Sequence, residues 1–385
     1  MIKSITKLLA ILFVTLVSAQ QKPTLKPITV TLGKQYNMPS KILKEERVLL
    51  IHTPVGYADS DKKYPVVYIL DGNGHFSHAV NAATLLADNG RMPESIIVGI
   101  PNNRGTRRRD LGRSRDNFKK YIKEEVIPFV NNNYKASNHK TLFGHSMAGA
   151  FTLNFLASEP TLFDAHIAAS PVVQIFNSEL LDKFSTLFKN NKALSKPVYF
   201  TLGNATAEGA RVTEAMNKFV NLLEKEAPKN FYWKYDYMAN QIHMTTPYLT
   251  MYKGFTEVFH DYQAPRFNTY KEYVDKGEMK YLKAYYATRA KKYNTKNVIA
   301  ERTMSRLANM LIREKQEKIG LELLILNTKN HPNSMPALNG LARTYVGLKQ
   351  PKKAIEIYKA ALKIAENQNS PNSAYFKRQL KSLEE

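Results

Sequence analysis

The sequence contains no cysteine among its 385 residues. This absence excludes disulfide bonds, cysteine-ligated zinc, iron–sulfur clusters and thiol nucleophiles. Glycine and proline are also sparse, at 17 and 18 residues, which excludes collagen-like and low-complexity linker proteins. Hydrophobic residues make up 43% and charged residues 23% of the chain. The composition is therefore that of a folded protein long enough to bury a substantial core.

Acidic residues are few, with 33 Asp and Glu against 56 Lys and Arg, and the formal net charge is +23. Such an excess of positive charge favours anionic partners such as phosphates, acidic lipids, nucleic acid or small anions. No nucleic-acid recognition motif is present, and we do not expect binding to nucleic acid.

The first 19 residues match the three-part pattern of a secretory signal peptide. Lys3 and Lys7 supply its positive charge, residues 8–17 its apolar segment, and Val17-Ser18-Ala19 the small residues of a cleavage site. The apolar run is shorter than the ~20 residues of a membrane-spanning helix, and no cysteine follows it to carry a lipid anchor. We expect an exported protein, periplasmic or secreted, whose mature chain has no transmembrane segment.

From about residue 45 to 262 the chain alternates between short β-rich runs and longer amphipathic stretches, and we assign residues 20–265 to one α/β domain. The strands predicted from these runs cover residues 47–52, 64–71, 95–100, 140–143, 165–169, 198–202 and 231–237. The predicted helices cover residues 117–132, 147–158, 212–225 and 247–260. Alternation of this kind predicts an α/β fold, with a mostly parallel sheet covered by helices on both faces.

Residues 266–385 show only helical patterns. Segments 301–334 and 335–368 repeat with a period of 34, the tetratricopeptide length, and two copies are fewer than the three usually needed for stability. We therefore expect this helical module to pack on the α/β domain or to be completed by helices from residues 270–300. Its basic residues are either a solvated surface or a face that binds an anionic partner, and a protein partner is possible through this module.

Residues 143–149, Phe-Gly-His-Ser-Met-Ala-Gly, carry the strongest local signal. A Gly-x-Ser-x-Gly turn between a strand and a helix is a nucleophile elbow, whose sharp bend requires very small residues on both sides of the serine. Gly144 and Ala148 occupy these positions, with Ala in place of the second Gly. The context predicts Ser146 as a nucleophile, against the alternative of a structural turn.

A serine hydroxyl needs a base, and in this fold the acid and then the histidine follow the serine in the chain. Of the later histidines, His166 lies in a predicted buried strand and His260 at the end of a helix. His243 lies in the loop between the last strand and the last helix. We therefore predict His243 as the general base.

The acid that orients this base should follow the preceding strand. Glu208 occupies that loop and is our first choice. Glu214, a turn into the next helix, is the alternative, and Glu208 could also be an ordinary carboxylate at a helix N-terminus.

An ester hydrolase also needs backbone donors for a developing oxyanion. The N–H of Met147, directly after the nucleophile, is one candidate. The second should lie in the glycine-containing segment 71–75, where the N–H of Asn73 or of Gly72 is the candidate.

Six arginines lie between residues 104 and 115, after the predicted strand that ends at Ile100. Loops at the carboxyl ends of parallel strands border the ligand crevice. Arg107, Arg108 and Arg109 are therefore candidates for binding an anionic substrate through forked guanidinium donors. The alternative is that they pair with neighbouring carboxylates.

Several motifs in order resemble the putative-esterase (esterase D-like) family of α/β-hydrolases, over about residues 40–262. They are residues 64–72, 97–100, 109–111, 125–129, 144–149 and 169–171. The family is similar to serine hydrolases of carboxylic esters and thioesters, and includes siderophore trilactone esterases, feruloyl esterases and mycolyltransferases. The resemblance implies an α/β-hydrolase fold, Ser146, His243 and Glu208 as catalytic residues, and Asn73 and Met147 as oxyanion donors.

These observations predict an exported serine esterase that acts through a Ser-His-Glu triad and an acyl-enzyme, with no metal or organic cofactor. Its substrate would be a small or medium ester, and an anionic siderophore lactone is one candidate. The alternatives are an acyltransferase that uses the same triad, or a non-enzymatic cell-envelope scaffold that binds a protein through its helical repeats.

Overall fold

The computed structural model describes residues 29–176 and 178–385. The predicted signal peptide, residues 1–19, lies outside these ranges, so export stays a prediction. None of the helices in the described ranges has the length and apolar character to cross a bilayer.

Eight strands form a single sheet in the order β1-β2-β4-β3-β5-β6-β7-β8. Strands β1 and β2 are antiparallel to their neighbours, and β3 to β8 are parallel to one another. The strands are β1 (Lys34–Ser40), β2 (Glu45–His52), β3 (Tyr64–Leu70), β4 (Ile96–Ile100), β5 (Ala136–His145), β6 (Ala165–Ala169), β7 (Val198–Leu202) and β8 (Trp233–Tyr237).

Helices cover both faces of this sheet. They are α1 (Gly72–Asp88), α2 (Arg115–Tyr121), α3 (Ile127–Asn133), α4 (Met147–Ser158), α5 (Glu179–Asn190), α6 (Ala205–Glu208), α7 (Ala210–Glu226) and α8 (Thr246–Val258). The predicted α/β-hydrolase fold is confirmed.

The position of β3 at the centre of the sheet follows from its composition. All seven of its residues are buried, and alternate side chains enter the two opposite cores. Tyr68 packs in the core that contains Phe118 of α2 and Phe151 of α4. Ile69 packs in the opposite core, with Phe255 of α8. A strand apolar along its whole length is stable only between two helical layers.

Three elements of the α/β part differ from the sequence prediction. Strand β1 was not predicted; Tyr36 and Met38 are the apolar side chains that it packs on the core. Segment 71–75, expected as a loop after β3, is instead the start of α1. The helix expected over 117–132 is interrupted by a π-helical turn at Ile122–Val126 between α2 and α3.

From Tyr270 to the end of the chain the elements are helices. They are α9 (Tyr270–Asp275), α10 (Glu278–Tyr293), α11 (Glu301–Arg313), α12 (Glu317–Asn330), α13 (Met335–Gly347), α14 (Pro351–Asn367) and α15 (Asn372–Glu384). Helices α11 and α12 begin 34 residues before α13 and α14, in agreement with the period seen in the sequence. The assignment of these pairs as tetratricopeptide repeats, and a protein partner for them, stay predictions.

Helix α10 connects this helical region with the α/β part. Tyr293 at its end is fully buried in the core on the α1 and α8 side of the sheet, where its ring lies 5.0 Å from that of His139 in β5. Leu282 and Tyr286 of the same helix belong to the helical core. Because Gly33–Glu385 form one compact unit, the domain boundary at residues 265 and 266 stays a prediction.

Two glycines in the helical region give a matched test of how closely its helices pack. A Cβ at Gly320 in α12 would lie 2.6 Å from Ile312 and 2.9 Å from the Ala308 carbonyl oxygen, whereas one at Gly340 in α13 would make only ordinary contact, 3.7 Å from Leu324. We expect Gly320→Ala to lower the free energy of unfolding by about 1–3 kcal/mol through overpacking.

Gly340→Ala should leave stability unchanged or raise it by about 0.5–1 kcal/mol, because alanine is the better helix former. Urea unfolding of both variants measures the difference. Equal stability of the two would contradict the tight packing of α11 against α12.

Candidate active site

Ser146 lies at the sharp turn between β5 and α4. Its backbone has φ 61° and ψ −120°, a conformation that costs energy in a residue with a side chain. A Cβ at Gly144 would lie 2.2 Å from the carbonyl oxygen of Ala148, so only glycine fits there. The methyl group of Ala148 itself is accommodated and buried. The predicted elbow is therefore present with the serine at its apex.

Both expected oxyanion donors lie at helix starts. Met147 is the first residue of α4, and Asn73 is the second residue of α1. The first N–H groups of a helix have no carbonyl partner within it and carry a partial positive charge. Asp71, just before α1, has a left-handed backbone with φ 52°, which turns the chain directly from β3 into the helix. These two N–H groups are thus suited to a developing negative charge.

The structure brings Glu208 and His243 into direct contact. His243 Nδ1 lies 2.6 Å from Glu208 Oε2, the Glu208 side chain is fully buried, and that of His243 is 27% exposed. A carboxylate accepts hydrogen bonds, so Nδ1 carries a proton and donates it. The other ring nitrogen, Nε2, is then left as a proton acceptor, which is the tautomer that a general base requires.

Further donors surround the Glu208 carboxylate. Ser170 Oγ donates to Oε1 over 2.6 Å and the Gly203 N–H donates to the same oxygen over 3.0 Å. Burial acts to raise the pKa of Glu208, but the hydrogen bonds from His243, Ser170 and Gly203 outweigh it, and the pKa lies below its usual value. Glu208 is therefore held ionised. Ser170, which the sequence analysis quoted only as part of a family motif, was missed as a site residue.

Glu214, the alternative acid, lies elsewhere. Its side chain is 68% exposed in α7 and pairs with Lys218 one turn later. The His243 ring thus contacts the first-choice carboxylate.

His145 is a second site residue that the sequence analysis did not identify. Its ring lies 4.8 Å from that of His243 and 5.4 Å from that of His75 in α1. Its Nε2 donates to the His243 carbonyl oxygen over 3.0 Å. The pKa of His145 is lowered to about 3, mainly by burial and in addition by the rings of His243 and His75. A neutral His145 therefore connects the end of β5 to the loop that carries His243.

The arginine segment, residues 104–115, contains a π-helical turn at Arg109–Arg113. Arg107 binds Asp71 through two hydrogen bonds of 2.8 and 2.7 Å and also donates to the His145 carbonyl oxygen over 3.2 Å. It thus joins the two loops that carry the oxyanion candidates. Arg109 pairs with Glu45 and Asp110. Arg108 is exposed. Of the three arginines, Arg107 and Arg109 are already neutralised by the protein's own carboxylates.

His145→Gln tests the neutral state of this histidine, because glutamine keeps an N–H donor and does not titrate. An unfolded histidine has a pKa of ~6.5 and the folded one about 3, so the unfolded chain binds more protons between these values. Stability contributed by His145 is therefore complete above about pH 6.5 and is lost as the pH falls, by up to ~1.4 kcal/mol per pH unit.

We expect the free energy of unfolding of His145→Gln, measured in urea from about pH 7 to 4.5, to fall less steeply than that of the wild type. Parallel curves for His145→Gln and the wild type would mean that His145 is not held neutral.

Comparison with known proteins finds a matching family profile and several similar proteins. The family profile described as "Putative esterase" matches residues 40–200, a range that includes Ser146 and ends before Glu208 and His243. The ferri-bacillibactin esterase BesA of Bacillus subtilis is 27% identical over 177 residues, which cover 38% of this chain and 60% of that protein. The chain thus spans about 60% of the length of this curated relative.

Solved structures share the fold. A crystal structure of an IroE-like serine hydrolase from Shewanella oneidensis matches with a TM-score of 0.61 at 21% identity, over 77% of this chain and 99% of that one. An uncharacterised protein from Capnocytophaga ochracea matches with a TM-score of 0.64 at 16% identity, over 91% of this chain and 99% of that one. The α/β part of this chain, built around the elbow at Ser146, is therefore similar in sequence to the putative-esterase profile and in fold to these structures.

Proposed function

We propose that this protein is a carboxylic ester hydrolase in which Ser146, His243 and Glu208 form a catalytic triad. The observation that carries the proposal is the buried Glu208 carboxylate, bonded to His243 Nδ1 over 2.6 Å beside a strained serine elbow. The contact between the rings of His145 and His243 supports it, because His145 directly precedes Ser146. The match of residues 40–200 to the putative-esterase profile agrees with this chemistry.

The first half of the reaction forms an acyl-enzyme. Ser146 Oγ attacks the ester carbonyl carbon while its proton passes to His243 Nε2. The imidazolium that results is stabilised by the ionised Glu208. The backbone N–H groups of Asn73 and Met147 donate to the carbonyl oxygen as it becomes an oxyanion. When the tetrahedral intermediate collapses, the C–O bond to the alcohol breaks and His243 returns the proton to the leaving alkoxide.

The second half repeats these roles with water. His243 removes a proton from a water molecule, and the resulting hydroxide attacks the acyl carbon, with the same N–H groups around the oxyanion. Ser146 then leaves with the proton from His243, and the carboxylic acid is released. Every proton transfer in this scheme passes through His243, while Glu208 stays ionised.

The surface beside His243 supports an ester with an apolar or aromatic part. The side chains of Ile242, Met244, Tyr248 and Leu249 are exposed around the base, where an apolar group would be removed from water on binding. The relative named as an esterase of ferri-bacillibactin suggests a siderophore lactone as the candidate substrate. Arg108, exposed next to Arg107, is the residue available to an anionic group of such a substrate.

Ser146→Ala tests the activity itself. We expect kcat for any ester that the wild type hydrolyses to fall by at least ~10⁴-fold, because the nucleophile is lost. Folding should be unchanged, and the oxyanion donors and the binding surface remain. A fluorophosphonate probe should label the wild type and not the variant. The ester panel contains acetyl, butyryl, feruloyl and catecholate-lactone substrates. Hydrolysis by the variant at the wild-type rate would refute the nucleophile.

Glu208→Gln and Glu214→Gln form a matched pair that tests the acid. Glutamine at 208 keeps the size of the side chain but loses its charge and mispairs with the imidazole, so kcat should fall by about 10²–10⁴-fold. Glu214→Gln should leave kcat unchanged, since this carboxylate is exposed and pairs with Lys218. A larger loss of kcat in Glu214→Gln than in Glu208→Gln would show that Glu208 is not the acid.

A further inference from the structure

A cavity lies between the α/β part and the helical region, away from the elbow. It has a volume of about 360 Å³. Lys62 and Glu94 in its wall directly precede β3 and β4. Ser146, Glu208 and His243 instead follow the carboxyl ends of β5, β7 and β8. The cavity is therefore at the opposite edge of the sheet from the candidate active site.

The charge in this cavity is strongly positive. Five arginines contribute to its wall, and they are Arg91, Arg266, Arg289, Arg302 and Arg306. The acidic residues of the wall are Asp88 and Glu94, and Glu94 already pairs with Lys62 over 3.0 Å. In the part of the chain that the structure describes, none of the five arginines forms an ion pair with a carboxylate. This differs from the arginine segment near the elbow, where Arg107 and Arg109 are both paired.

Arg289 is held in a fixed position at this cavity. Its guanidinium lies between two aromatic rings, 4.4 Å from the centre of Tyr262 and 4.2 Å from that of Tyr286. One of its amino groups, Nη1, makes a long hydrogen bond of 3.4 Å to the Tyr262 carbonyl oxygen. Its Nε is buried and has no hydrogen-bond partner within the described ranges. Stacking fixes the plane of the guanidinium and leaves donor capacity unused.

Arg266, Arg302 and Arg306 repel one another. Burial lowers the pKa of Arg306, and repulsion from Arg266 and Arg302 lowers it further. Arg302 has one long contact, 3.4 Å from its Nη1 to Asn89 Oδ1. Like charges gathered without counter-charges destabilise the folded chain, and a bound anion would relieve this cost.

We propose that this cavity binds a small ligand with two or more phosphate groups. The forked donors of arginine match phosphate oxygens in pairs, and several guanidinium groups around one cavity suit a ligand with more than one such group. The volume is at the lower end of that of small-molecule sites. The site does not depend on the proposed ester hydrolysis, since it shares no residue with the triad.

The test measures binding of inorganic pyrophosphate to the full-length protein by calorimetry at 150 mM salt. Arg302→Gln with Arg306→Gln removes two exposed charges from the cavity and should weaken binding by about tenfold or more, because a hydrogen bond to a charged group typically contributes that much. Arg343→Gln with Arg378→Gln, which removes two exposed arginines of α13 and α15, is the control of equal charge and should bind like the wild type.

Two further measurements identify the ligand. Vesicles that contain phosphatidic acid show whether the phosphates belong to a lipid headgroup, in which case pyrophosphate should displace the protein from them. Pyrophosphate binding without vesicle binding assigns a soluble ligand. Citrate, a polycarboxylate, should bind more weakly than pyrophosphate.

The proposal is overturned if pyrophosphate does not bind, if citrate binds as tightly as pyrophosphate, or if the control double variant loses as much affinity as Arg302→Gln with Arg306→Gln. The melting temperature of each variant without ligand checks folding. Removal of like charges should leave that of Arg302→Gln with Arg306→Gln at least as high as the wild type. Should this variant fold poorly, the single variant Arg306→Gln replaces it in the same comparison.

Discussion

The hydrogen bond between Glu208 and His243 determines how the loops at the carboxyl edge of the sheet are arranged. A fully buried carboxylate is costly unless donors surround it. Here the donors come from three segments: Ser170 after β6, Gly203 after β7 and His243 after β8. These loops must converge to satisfy one side chain. The requirement of the buried charge thus holds three strand ends at the positions that the proposed triad needs.

The opposite side of the site depends on a second charge-assisted contact, in which Arg107 is 38% and Asp71 12% exposed. Arg107 donates hydrogen bonds to Asp71 at the start of α1 and to the His145 carbonyl oxygen at the end of β5. Its neighbour His145 donates to the His243 carbonyl oxygen. Helix starts, elbow and base loop are therefore connected by hydrogen bonds on both sides of Ser146. This connection explains why an arginine segment whose sequence resembles a substrate site contributes largely to positioning the helix starts and the elbow.

The two basic regions of the molecule differ in how their charge is compensated. Near the elbow, carboxylates of the chain neutralise Arg107 and Arg109. In the cavity at the opposite edge, Arg289 is fixed by aromatic stacking and its neighbours have no carboxylate partners in the described part of the chain. The same residue type is structural in one place and available to a ligand in the other. Only the presence or absence of counter-charges separates the two cases.

Local pattern alone determined the α/β class, the central strand β3, the elbow at Ser146 and the 34-residue helical period, because each rests on residues that are close in sequence. His243 and Glu208 followed from chain order. What the tertiary structure decided were contacts between distant segments: Glu208 rather than Glu214 beside His243, the roles of Ser170 and His145, and the basic cavity formed by residues 62–94 and 262–306. Burial and counter-charges arise only when these segments meet, and no local spacing encodes them.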